Sequence, residues 1–241
     1  MQNLSENLSG YLFIDKPENI TSYDCIRYIK KLLPKNTKIG HAGTLDPFAT
    51  GLLIIAISRE STKKLNEFIK LDKEYVATAI LGQETDTLDL TGNIINTSNN
   101  SITEVDIKNA AQKLTGSYKQ IPPIYSAKKH HGENLYYLAR NNKIDQATLE
   151  SIAKEKSKIV NIYKIEILNF DYPYFDVKTQ VSSGTYIRSL INDLAKLNNS
   201  YATTQSLKRT RIGNYKINDS VKLADIKNLQ DLKDNLKNNL I

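Results

Sequence analysis

The sequence predicts an α+β fold, on three observations. Strand-like and helix-like stretches are mixed along the chain without a regular βαβ rhythm. Residues 74–81 alternate strictly, with Tyr75, Ala77, Ala79 and Leu81 on one face and Val76, Thr78 and Ile80 on the other. The 241 residues, 40% of them hydrophobic, suffice for a sizeable core. One domain over residues 1–241 is expected, as no internal repeat or low-complexity linker divides it.

Each element has its own signal. Tyr11-Leu12-Phe13-Ile14 is a short apolar strand. Residues 22–33 have helical spacing, with Cys25, Ile26, Ile29, Leu32 and Leu33 on one side, and Pro34 ends the helix. Residues 52–57 are a continuous apolar run, hence a buried strand, and 61–71 read as a helix. After the strand 74–81, residues 82–92 form a turn-rich connection holding Thr85, Asp86, Thr87 and Asp89. Thr103 begins a helix of roughly a dozen residues. Residues 117–146 are basic, aromatic and loop-rich. Strands follow at 156–169 and 175–181, the latter with Phe175, Val177, Thr179 and Val181 on one face. Thr185 opens a helix whose apolar stripe is Ile187, Leu190, Ile191 and Leu194. From Val221 onward, Leu223, Ile226, Leu229 and Leu232 recur at threefold spacing, which predicts a closing amphipathic helix.

Composition narrows the function classes. The 33 basic against 26 acidic residues give a net charge of +7. That excess favours a polyanionic partner, nucleic acid before membrane. Cys25 is the only cysteine and the three histidines are His41, His130 and His131, so no internal disulfide forms and no zinc-type spacing exists. No metal site is expected. The stretch Met1–Gly10 lacks an apolar signal core, and no apolar run approaches the ~20 residues a bilayer span needs. A soluble cytoplasmic protein, with no membrane partner, is expected.

One segment stands apart. Residues 40–51 read Gly-His-Ala-Gly-Thr-Leu-Asp-Pro-Phe-Ala-Thr-Gly, and Asp46 is the only formally charged residue between Ile39 and Ile57. Gly40, Gly43 and Gly51 permit backbone angles other residues avoid. Pro47 biases Asp46 toward an extended conformation. An isolated Asp-Pro would read as a turn opener. A lone carboxylate in a glycine-punctuated loop feeding a buried strand reads instead as a side chain presented in a fixed pose.

The run Gly43-Thr44-Leu45-Asp46-Pro47 with Ala49-Thr50-Gly51 resembles the catalytic loop of the TruB family of pseudouridine synthases. Further stretches resemble the same family in the same order. These are Asp15-Lys16-Pro17, Ile121-Pro122-Pro123-Ile124-Tyr125-Ser126-Ala127-Lys128, Ser182-Ser183-Gly184-Thr185-Tyr186-Ile187-Arg188 and Leu207-Lys208-Arg209-Thr210-Arg211-Ile212-Gly213. The resemblance implies a pseudouridine synthase fold, with a mixed, mostly antiparallel sheet, flanking helices and an RNA-binding cleft. It implies a thumb-like insertion at about 117–146. Some 28 residues follow Gly213 (241 less 213), too few for the separate C-terminal RNA-binding module of many members.

The resemblance also implies roles. Asp46 is the catalytic carboxylate, Arg188 its cationic partner, and Tyr75 a ring stacked on the target uracil with a phenol available to help remove the C5 proton. Tyr186 and Leu207 line the pocket. His41 fills or props the space left by a flipped base, while Asp15-Lys16-Pro17 supports the site. A base inside folded RNA must be extruded, which costs a few kcal/mol and demands groups that grip the backbone. Lys128 and Lys129, with Tyr136, Tyr137, Arg140 and Lys143, supply cations and aromatics together. Lys208, Arg209 and Arg211 add further phosphate contacts on this reading.

The expected reaction converts a uridine in the T-loop of tRNA, position 55 by resemblance, to pseudouridine. Uracil leaves C1′, turns and rejoins through C5, so neither redox step nor cofactor is implied. Attack by Asp46 on C1′, attack on the base and abstraction of a sugar proton all fit the residues. The expected partner is the tRNA T-arm, without guide RNA, bound by a monomer. A non-catalytic tRNA-folding protein of the same fold would use the basic loop equally well, but Asp46 would then be a liability beside phosphates. A glycoside-cleaving enzyme would want two opposed carboxylates. The guide-RNA-dependent relatives depend on a C-terminal module.

Overall fold

The apolar run after the Asp46 loop is the central strand of its neighbourhood in the computed structural model, which describes residues 8–126, 128–141, 143–238 and 240. Ala127 of the proline-tyrosine string, and the first seven residues of the polar start, lie outside the described residues. In chain order the first elements are β1 (Gly10–Lys16), α1 (Ser22–Lys30), β2 (Ile39–Ala42), β3 (Thr50–Ile57), α2 (Arg59–Lys63), α3 (Leu65–Lys70) and β4 (Lys73–Leu81). There follow β5 (Gln83–Thr85), β6 (Ile94–Thr97), α4 (Glu104–Leu114), β7 (Gly116–Gln120), β8 (Lys129–His130), β9 (Glu133–Asn134), α5 (Leu135–Arg140) and α6 (Gln146–Glu155). The chain continues through β10 (Lys158–Asp171), β11 (Tyr174–Val181), α7 (Ile187–Lys196), β12 (Ala202–Ile212), β13 (Tyr215–Lys216), β14 (Val221–Lys222) and α8 (Leu229–Asp234). Two units form, one from residues 1–75 with 207–241 and one from 76–206, and the boundary falls inside β4 and β12.

In the first unit β3 is buried on both faces, as a continuous apolar run requires. Leu53, Ile55 and Ile57 pack with Cys25, Ile26 and Ile29 of α1, while Leu52, Ile54 and Ala56 pack with Tyr11, Phe13 and Phe68. β1 runs antiparallel along it from Gly10 opposite Ile57 to Lys16 opposite Gly51. The end of β12 pairs parallel to its start, with Arg209 opposite Gly51. Thr21 begins α1 through a reciprocal capping box with Asp24. The expected helix at 61–71 is two short helices that meet at Lys64, the first starting at its Ser58 cap.

The closing helix expected from Val221 onward is also not one helix. Val221 and Lys222 form strand β14 on β1, residues 223–225 make a 3₁₀ turn, and Asn228 caps the short α8. Leu223, Ile226 and Leu232 are buried regardless, so the threefold spacing reports burial rather than a continuous helix.

In the second unit β10 and β11 form a long antiparallel hairpin, and β7 adds antiparallel to the start of β10. The alternation of β4 is complete, every second residue from Lys73 to Leu81 being buried. Thr103 caps α4 with Asp106 in a second capping box. The stretch read as loop-rich, 117–146, holds β7, the small β8–β9 hairpin and α5, and α6 follows. Leu135, Leu138, Ala139, Leu149 and Ile152 give this insertion a core of its own. α7 starts at Ile187, because the Thr185 hydroxyl donates to the Ser182 carbonyl and closes a turn ahead of the helix.

Candidate active site

The Asp46 loop is pinned by its apolar residues and its backbone. Leu45, Phe48 and Ala49 are buried, Thr44 and Pro47 are exposed, and Asp46 is half-buried between them. The Ser22 hydroxyl, itself buried, both accepts from the Leu45 N–H (2.9 Å) and lies 3.2 Å from the Leu45 carbonyl. Gly51 has a φ of +104°, and a Cβ there would stand 2.3 Å from the Arg209 carbonyl oxygen. Only glycine allows β12 to approach this closely.

Three buried cations surround the loop and its neighbours. Lys16 donates from Nζ to the carbonyls of Pro17 (2.8 Å), Ile20 (2.7 Å) and Pro47 (3.1 Å). Burial lowers its pKa, opposed by several groups that include Asp46. Lys73 donates to the carbonyls of Phe68 (3.2 Å), Ile69 and Leu71 (both 2.5 Å), closing the end of α3. Its pKa is pushed down to about 8 by burial first and by Arg209 second. Arg209 donates from Nε to the Leu52 carbonyl (2.8 Å) and from Nη2 to the Gly43 carbonyl (3.0 Å).

Arg209 therefore corrects one expectation. At 1% exposure its guanidinium meets no solvent, so it holds the loop from inside instead of contacting phosphate. Arg211 donates to the Gly213 carbonyl at 2.6 Å, and Lys208 is exposed. His41 lies on β2 opposite Ile55, with a buried Nδ1 that has no hydrogen-bond partner among the described residues and a pKa lowered by burial and then by Arg209. Tyr75 and Leu207 are both buried. Tyr75 shares the inward face of β4 with Lys73, Ala77 and Ala79. Glu74 accepts from the Thr210 hydroxyl at 2.8 Å, which ties the start of β4 to β12.

The second unit positions Arg188 and Tyr186. Arg188 is on the first turn of α7, as expected from sequence, and it is buried. Its guanidinium donates to the carbonyls of Thr87 and, at 2.9 Å, Tyr125, and stands 3.4 Å from Asp89 Oδ2. Asp89 is oriented in turn, its Oδ1 accepting from the Thr87 hydroxyl (2.8 Å) and from the Thr91 N–H (2.9 Å) and hydroxyl (2.5 Å). Tyr186 is half-buried, its N–H donating to Gln120 Oε1 and its carbonyl accepting from Gln120 Nε2. Lys128 is half-buried and Lys129 exposed at the small hairpin, while Lys143 pairs with Glu133 at 2.9 Å and lies over the Tyr137 ring.

Sequence reasoning passed over Asp89, Lys73 and Gln120. For Lys73 the signal was available, because strand alternation puts it on the same face as Tyr75. Asp89 sat in a recognised turn, but nothing local marks its partner 99 residues on (188 less 89).

A family profile described as TruB family pseudouridylate synthase (N terminal domain) matches residues 30–187. This chain belongs to the TruB family. The tRNA pseudouridine synthase B of Protochlamydia amoebophila (strain UWE25) is 38% identical over 233 residues, covering 97% of this chain and 85% of that protein. That of Endomicrobium trichonymphae is 39% identical over 228 residues, covering 93% and 94%. Among solved structures, a chain of a Cbf5-Nop10-Gar1 complex matches with TM-score 0.67 at 27% identity, over 90% of this chain and 53% of its own length. This chain thus spans about half of that one. The fold is the mixed, mostly antiparallel pseudouridine synthase fold. Within the segment matched to the TruB profile lie His41, Asp46, Tyr75, Lys128, Lys129 and Tyr186, whereas Arg188, Leu207 and Arg209 lie just beyond it.

Proposed function

We propose that this TruB-family chain isomerises a uridine of tRNA to pseudouridine, in the T-loop at position 55. The observation that carries the reading is Asp46, a half-buried carboxylate held in a glycine-shaped loop whose backbone is gripped by Ser22, Lys16 and Arg209. The relatives bear the name tRNA pseudouridine synthase B. The bond from C1′ to N1 breaks, the bond from C1′ to C5 forms, and the C5 proton is lost while N1 gains one. The atoms balance without an external reactant.

Asp46 is the catalytic carboxylate on this reading. Arg188, aimed by Asp89 and two carbonyls, is the cation that serves it in turnover. Tyr75 stacks on the uracil, with its phenol available for the C5 proton. Tyr186 and Leu207 line the pocket, and His41 occupies the space of the flipped base. Residues 117–146 act as the RNA-gripping thumb of a single catalytic domain, with Lys128 and Lys129 against phosphates. The chain works as a monomer in the cytoplasm and takes no guide RNA. No helix among the described residues is long and apolar enough to cross a membrane.

The test is tritium release from a T-arm stem-loop labelled at uridine C5. Asp46→Asn keeps size and removes charge, so turnover should fall by on the order of 10³-fold or more while RNA binding persists. Release at the wild-type rate would refute the assignment.

A further inference from the structure

Arg209 has the wrong surroundings for a phosphate ligand and the right ones for a clamp. Its side chain is enclosed, and its two bonded groups are the carbonyls of Gly43 and Leu52. Those carbonyls bracket Asp46, three residues before it and six after. A guanidinium presents its N–H groups in a rigid planar fork, so bonding both carbonyls fixes the distance between the two ends of the loop. The backbone of Arg209 adds a second constraint, because it pairs with Gly51 in parallel register and fills the space a Cβ on Gly51 would need. The next residue, Thr210, bonds Glu74, the neighbour of Tyr75. One short piece of β12 therefore touches the segments that carry both Asp46 and Tyr75.

From this we infer that Arg209 is a positioning residue, whose guanidinium closes the Asp46 loop across the Gly43 and Leu52 carbonyls and so sets the pose of the carboxylate. The inference rests on Asp46 being the catalytic carboxylate. It predicts a rate effect rather than a binding effect, since a displacement of about 1 Å at a reacting group costs on the order of 10²-fold.

The decisive variant is Arg209→Lys, which keeps the charge and the buried stem but lacks the planar fork. Single-turnover tritium release at saturating T-arm RNA, below the variant's melting temperature, should be about 10- to 100-fold slower than wild type. The KM should move less than about threefold, and the salt dependence of binding should be unchanged. A phosphate-contact role gives the opposite pattern, with weakened binding, a salt slope lower by about one and a normal saturated rate. A role in folding alone lowers the melting temperature and leaves the saturated rate intact. Either result overturns the inference. If Arg209→Lys does not fold, Arg209→Gln, which leaves no buried charge to satisfy, is measured in the same way against the same outcomes. Asp46→Asn runs in parallel. Turnover by that variant removes the premise, whereas an inactive Asp46→Asn beside a fully active Arg209 variant refutes the clamp alone.

Discussion

The two units treat buried cations differently. In the first, Lys16, Lys73 and Arg209 are almost fully enclosed, and their hydrogen bonds go to main-chain carbonyls. In the second, the buried Arg188 has the Asp89 carboxylate beside it in addition to the Thr87 and Tyr125 carbonyls, and the half-exposed Lys196 donates to Glu84 at 2.8 Å. A carbonyl satisfies a donor without cancelling its charge, whereas a carboxylate does both. The interior of the second unit is thus locally compensated. In the first, the enclosed cations are held by carbonyls, and Asp46 is one of the charges acting on Lys16. The contrast also separates two kinds of dependence. An enclosed ammonium on three carbonyls is a fixed part of the backbone scaffold, whereas the half-exposed Lys196 can be lost in exchange for one relaxed acid.

Removing the cations in turn tests this contrast, and the largest stability effect belongs to the first unit. Lys16→Met leaves three carbonyls without their donor in a closed space, each costing about 1–3 kcal/mol before relaxation. A loss of several degrees or more in melting temperature is expected by calorimetry. Lys196→Met should cost about 1 kcal/mol or less, because Lys196 is half-exposed and Glu84 keeps its bonds from Asn192 and Asn96. Equal losses for the two variants would remove the distinction between the units.

Asp89→Asn is intermediate. The amide keeps the shape of the turn but withdraws the Asp89 charge from beside the buried Arg188 guanidinium, which keeps its bonds to the Thr87 and Tyr125 carbonyls. A loss of about 1–3 kcal/mol is expected by chemical denaturation, with a slowed saturated rate because Arg188 loses its aim. Wild-type stability and rate together would show that Arg188 is held without the Asp89 charge.

The second unit also holds an acid whose titration is shifted by burial. Burial pushes Asp193 up from 3.8 to about 6, against the help of Lys196 and of the Tyr118 hydroxyl at 3.3 Å. The folded state therefore holds a proton that the unfolded state has released between about pH 4 and pH 6. Stability from this group is present below pH 4 and is lost as pH rises through 6, by up to roughly 3 kcal/mol. Asp193→Asn removes the titration. Its melting temperature relative to wild type should climb from pH 4.5 to pH 7, and parallel curves for the two proteins would place Asp193 in solvent.

Sequence patterns reported what repeats locally and missed what depends on distant partners. The alternation of β4, the apolar run of β3 and the capping threonine at 103 were readable because period and cap are local properties. The closing tail misled because Leu223, Ile226 and Leu232 do face one core, but through a 3₁₀ turn and a separate capped helix. The Asp46 loop was visible from its glycines and its isolation in charge. Arg209 was not readable as a clamp, since a basic residue in a basic stretch looks like surface until its carbonyl partners, at least 157 residues earlier in sequence, are brought to it.

The smallest effect on chemistry should come from the cations that neither unit buries. Lys129 is exposed and Lys128 half-buried at the small hairpin of the insertion. Changing both to Gln should leave the melting temperature within a degree or two, as surface substitutions usually do. It should also leave the saturated rate of tritium release unchanged, because Asp46, Tyr75 and Arg188 are untouched. Affinity for tRNA is the property that should move. Two lost phosphate contacts lower the slope of log affinity against log salt by about two, and they weaken binding most at low salt, where counterion release contributes most. Measured at several salt concentrations, the variant and wild-type lines should converge as salt rises. Coincident lines throughout would mean that the insertion meets solvent there, and the gripping role would pass to other cations such as the exposed Lys208.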